Sequence, residues 1–188
     1  MNKIKRTSQV FRILFQLGFI VAPIALIITW IYAPHSLATY LASPGTHPTG
    51  FSYRFIPGNV QILHPLSIQT KLLGFLASLI PTSIQMFVLY FFIRLFKLYE
   101  QTKIFTLDNV RYIKKIGYTL LISQIVYPIY QVLITLILTW NNPPGHRYAA
   151  FGFGSPNLAI LLTALMVILI SWIMAEGCKL QDEQQYIV

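Results

Sequence analysis

Charge is scarce in this chain of 188 residues, and negative charge is scarcer still. Only 10% of the residues are charged, with five Asp and Glu against fourteen Lys and Arg. An ordinary soluble domain carries roughly 25% charged residues. With 55% of its residues hydrophobic, this chain cannot cover its apolar surface with polar side chains, and lipid must do so. A mean hydropathy of +0.62 agrees. Cysteine is nearly absent: Cys178 stands alone, which excludes an internal disulfide and any disulfide framework for the loops. Near a membrane end it reads as a small interfacial residue.

Chemical motifs are missing as well. No GxSxG, P-loop, HExxH or carboxylate pair occurs. His35, His47, His64 and His146 lack the close spacing of metal ligands, and no Asp or Glu joins them. With no acid outside the membrane or at mid-depth, hydrolysis has no evident base. The chain reads as non-enzymatic, without metal or cofactor.

What is present is four long apolar runs. Residues 13–32, 72–93, 116–140 and 158–175 are uncharged. At 1.5 Å per residue a run of about 20 residues crosses about 30 Å of hydrocarbon. The first is longer than the ~7–15 apolar residues of a signal peptide and reads as a retained helix. Expected, then, is an all-α membrane protein forming one integral domain over 1–188, with loops at 33–71 and 141–157 on one side and a connection at 94–115 on the other. Pro34, Pro44, Pro48, Pro57 and Pro65 argue against a continuous helix over 33–71. There, Phe51–Ile56 and Val60–Leu63 flank Pro57-Gly58-Asn59 as a β-hairpin would, giving a small extracytoplasmic cap.

Lys and Arg set the orientation. Segments on the side of the N-terminus hold Lys3, Lys5, Arg6, Arg12, Arg94, Lys97, Lys103, Arg111, Lys114, Lys115 and Lys179, and the other side holds only Arg54, Lys71 and Arg147. That bias places both termini in the cytoplasm. Trp30, Tyr32, Trp140 and Tyr148 fall at the outer ends, where an aromatic belt belongs. Basic residues flanking apolar runs point to anionic lipid head groups rather than to nucleic acid.

Within the connection, Thr106 is a good N-cap and Asp108 suits the first turn of a helix starting near Leu107. Val110, Ile113 and Gly117 share one face, with Arg111, Lys114 and Lys115 off it. Together with Lys103 these cations form either an anchor on anionic lipid or a docking surface for an acidic cytosolic protein, and the anchor weighs more.

Ile104-Phe-Thr-Leu-Asp-Asn-Val-Arg-Tyr-Ile-Lys-Lys-Ile-Gly117 and Glu176-Gly-Cys-Lys-Leu-Gln-Asp-Glu183 resemble the DUF2975 family of small bacterial membrane proteins. Thr102 stands near a position where that family often has Gly. The resemblance implies four helices in a bacterial inner membrane and no established activity. It also implies an association with small helix-turn-helix regulators, and hence a membrane-bound modulator of one.

Two further groups stand out. Ser78, Thr82 and Gln85 share a face of the second span, and Gln124, Tyr127, Gln131 and Thr135 a face of the third, each set near a mid-span proline (Pro81, Pro128). Interhelical hydrogen bonding is the plainer use, and a midplane ligand pocket the alternative. A small transporter or lipophilic-ligand binder would use such a pocket, and an accessory subunit of a larger complex would not. Glu176 lies at the depth of Arg12 and Arg94, and it reads equally as an ion pair with one of them, clamping helix ends, or as an exposed acid among lipid head groups.

Overall fold

The computed structural model describes residues 2–41, 66–102, 106–147, 149 and 155–185. They form four helices, α1 (Asn2–Leu41), α2 (Ile68–Glu100), α3 (Leu107–Thr139) and α4 (Ser155–Gln185), with no strand among the described residues. The expected hairpin at 51–63 lies outside them.

All four helices are long and apolar enough to cross a membrane. The chain is a multi-pass membrane protein. Each helix exceeds the span expected of it. At 33 residues, α2 and α3 extend about 50 Å, well beyond the ~30 Å of hydrocarbon. Two helices continue past the uncharged runs. Helix α1 continues through Pro34 to Leu41, because a proline removes one backbone donor and bends a helix without necessarily ending it. Helix α4 runs past Glu176 to Gln185, since Glu, Lys and Gln are good helix formers once outside the lipid.

Helix starts follow local chemistry. Ser67 caps α2, with Thr70 N–H donating to Ser67 Oγ at 3.2 Å. Thr106 caps α3, with a long 3.5 Å contact from Asn109 N–H to its hydroxyl. Helix α2 ends in a tight turn whose Thr102 has φ of +61°, the left-handed cap position that glycine fills at least cost.

The chain divides into two compact units, one comprising residues 1–21, 84–124 and 154–188, the other 22–83 and 125–153. The divisions fall within a few residues of Pro23, Pro81 and Pro128. In the first unit, Gly117 of α3 lies against α4: a Cβ there would stand 2.6 Å from Ile168 Cγ1 and 3.3 Å from the Ala164 carbonyl. Ala164, Ser171 and Cys178, seven residues apart along α4, are all buried. Small residues at this spacing let helix backbones approach where lipid supplies no hydrophobic drive. Opposite them Leu162, Leu165, Met166, Leu169 and Ile173 are exposed, as a lipid-facing surface should be.

The second unit has its own core of Leu26, Trp30, Ala77, Tyr130, Ile134 and Leu138. Gly74 makes room for it, since a Cβ at that position would run into the Trp30 ring. Trp30 was expected in an outer aromatic belt; it is instead 4% exposed and part of the core. Trp140 is 68% exposed, as a belt residue would be. Beyond α3, Asn142 Nδ2 donates to the His146 carbonyl (3.1 Å) and Arg147 Nε to the Asn142 carbonyl (2.8 Å). These bonds order the turn at 142–147, where Gly145 takes φ of +94°.

Candidate functional site

The cations counted on the N-terminal side all fall in the sequence ranges of the first unit, as do all five acids. The acids decide which cations are left over. Glu100 ends α2, where the helix dipole disfavours a carboxylate, and α1 compensates. Arg12 Nη1 lies 2.6 Å from Glu100 Oε2 and Gln9 Nε2 donates to Oε1 at 2.8 Å. Phe11 and Phe15 of α1 stack on Phe96 and Phe92 of α2, with centroids 4.9–5.5 Å apart. The pair thus closes the end of an aromatic seam, where partial exclusion of water strengthens it. The Arg12 Nε is buried and finds no acceptor among the described residues.

This corrects the ion-pair reading of Glu176. Arg12 is joined to Glu100, while Glu176 pairs with Lys179 one turn along α4 (3.2 Å) and Arg94 turns to Tyr90. Which helix stands beside which was not legible in the sequence.

Asp108 takes Arg111 at 3.3 Å, with both side chains well exposed. Such a pair contributes little stability, but it partly neutralises Arg111. No described carboxylate lies within 4 Å of Arg94, Lys97, Lys114 or Lys115, all of them exposed. Aromatic rings hold three of these cations instead. Arg94 stands 5.3 Å from the Tyr90 ring centroid and donates from Nε to the Tyr90 hydroxyl (3.1 Å). Lys115 Nζ is 5.7 Å from both Phe91 and Tyr112, and Lys114 Nζ is 5.8 Å from Tyr118. Cation–π contacts fix these side chains without cancelling their charge. Lys103 lies outside the described residues.

The polar residues expected as one cluster are divided. Gln85 and Gln124 belong to the first unit; Ser78, Thr82, Tyr127 and Gln131 belong to the second. Ser78, fully buried, accepts from Trp30 Nε1 at 3.2 Å and has its hydroxyl 3.3 Å from that of Tyr130. Thr82 donates back to the Ser78 carbonyl (2.8 Å), and Gln124 Nε2 donates to Ser123 Oγ (3.0 Å). Ser78 therefore ties α1, α2 and α3 together through two residues that sequence reasoning did not include. Tyr130 sits three residues from Tyr127 in an apolar run, and only packing decides which of the two turns inward. Tyr127 and Gln131 are half-buried.

A family model described as a protein of unknown function (DUF2975) matches residues 36–188. No curated protein and no solved structure matches the chain.

Proposed function

This chain belongs to the DUF2975 family, and on that footing we propose that it is a non-catalytic membrane protein that docks an acidic cytosolic partner on its cation-rich side. One observation supports this above the others. The described acids of the first unit are largely engaged with Arg12, Arg111 and Lys179, leaving exposed cations with no acid beside them. Surplus charge of one sign steers a partner of the opposite sign.

In this reading both termini and the α2–α3 connection face the cytoplasm of a bacterial inner membrane, in keeping with the positive-inside bias. Lys97, Arg111 and Lys114 supply the docking charge, with Lys103 between them in sequence. A small helix-turn-helix regulator is the partner class the family resemblance brings forward, contacted as a protein and not through DNA. The experiment is capture of cytosolic proteins by the full chain in mild detergent, beside a Lys97→Glu/Arg111→Glu/Lys114→Glu variant that inserts normally. Loss of one specific acidic protein supports docking. An unchanged set of captured proteins counts against it.

A transporter or ligand-binding role finds less support. The Ser78 hydroxyl of α2 already serves Trp30 and Tyr130, which favours its use in helix packing.

A further inference from the structure

We propose that Arg94 and Lys115 form a site for the phosphate of an anionic phospholipid, distinct from the cations nearer the tip of the connection. Arg94 is the first charge on α2 after the apolar run that follows Lys71, and Lys115 is the last on α3 before the run that precedes Arg147. Both stand where their helices leave the hydrocarbon. Helix α2 ends six residues beyond Arg94, and α3 begins eight residues before Lys115. The tip therefore lies about 9–12 Å further out, at 1.5 Å per residue.

Aromatic rings hold both cations, Arg94 on Tyr90 and Lys115 on Phe91 and Tyr112. The Phe91 and Tyr112 centroids are 6.5 Å apart across α2 and α3, and Lys115 Nζ lies 5.7 Å from each. Tyr90, which holds Arg94, lies edge-on to Phe91 at 5.7 Å. Arg94 uses its Nε on Tyr90, and no described residue takes its two terminal nitrogens. That leaves the planar fork suited to two phosphate oxygens, with the Lys115 ammonium as a second charge. Arg111 differs, because its Nη1 is already taken by Asp108. The rings favour lipid over a soluble anion, since Tyr and Phe beside cations at the hydrocarbon boundary match the head-group zone. The lipid must carry net negative charge, because a zwitterionic head group brings its own cation to the phosphate.

The test is native mass spectrometry of the full chain in a nonionic detergent, titrated with phosphatidylglycerol or with phosphatidylcholine of the same acyl chains. Phosphatidylglycerol should bind preferentially. Arg94→Gln and Lys115→Gln should each weaken it about five-fold and the double variant about twenty-five-fold, taking about 1 kcal/mol per cation near the surface. The tip variant Lys97→Gln/Arg111→Gln, which removes the same charge about 4.5–6 Å further along the helices, should weaken it clearly less than the Arg94→Gln/Lys115→Gln pair. Lys115 is exposed, so Lys115→Gln gives a reading even where a change at Arg94 disturbs folding. Equal weakening by the tip variant would reduce the effect to general attraction and overturn the site. Competition by inorganic phosphate as strong as that by lipid would also overturn it, making this a soluble-anion site. So would loss of a bound acidic protein from the Arg94→Gln/Lys115→Gln variant with lipid retained. Failure of the tip variant to lose a cytosolic partner bears only on the docking proposal.

Discussion

Arg12 and Glu100 lie 88 positions apart in sequence and 2.6 Å apart in space, joining α1 to the end of α2 beside a stack of four phenylalanines. Neither side chain is fully exposed, at 29% and 14%, so the pair contributes more than a surface contact would. Removing either partner should cost about 1–3 kcal/mol. In a double-mutant cycle of Arg12→Gln and Glu100→Gln, thermal unfolding in detergent should give a coupling near 1 kcal/mol or above. Strict additivity would mean that the pair does not hold the helices.

Two glycines and a third make a matched set. Gly74→Ala drives a methyl into the Trp30 ring and Gly117→Ala drives one into Ile168; each should destabilise by about 1–3 kcal/mol. Gly177→Ala meets nothing within 4 Å and should stabilise α4 by about 0.5–1 kcal/mol through helix propensity. Melting temperatures of the three variants check the order. Equal effects would contradict the close approaches.

Thr102 takes a β-branched residue into the left-handed region at φ of +61°, which costs about 1–2 kcal/mol for a non-glycine residue. Thr102→Gly should therefore raise stability by about 1 kcal/mol without altering membrane insertion. A lower melting temperature would show that the Thr side chain contributes more than its backbone costs.

Ser78→Ala removes the acceptor for Trp30 Nε1. Interhelical hydrogen bonds in membranes average about 0.6 kcal/mol with a maximum near 1.7, so a loss of that order is expected. With Trp140 and Trp172 replaced by Phe, the Trp30 fluorescence should also shift. An unshifted spectrum would remove Ser78 from the Trp30 environment.

Four helices, the α3 start beside Thr106 and the exposure of Arg111, Lys114 and Lys115 were all legible in the sequence, because each follows from local pattern. Apolar run length gives the spans, and an N-cap oxygen with an acid in the first turn marks a helix start. Lateral neighbours were not legible. Glu176 and Glu100 each follow an apolar run in the sequence, and nothing local says that α1 approaches α2 closely enough for Arg12 to choose Glu100. Trp30 fits an aromatic belt by position alone. Its burial depends on Gly74 leaving a gap on another helix and on Ser78 accepting its N–H. The helix through Pro34 was hidden because proline signals are read as stops, whereas a long helix absorbs one by bending.

The docking and lipid proposals both require the cations of α2 and α3 to face the cytoplasm. Gln101 lies exposed in the turn between these helices, so Gln101→Cys in a Cys178→Ala chain reports the side directly. An impermeant maleimide should leave it unlabelled on intact cells and label it fully once the membrane is permeabilised. Full labelling on intact cells would put the surplus positive charge on the outer face and contradict the account.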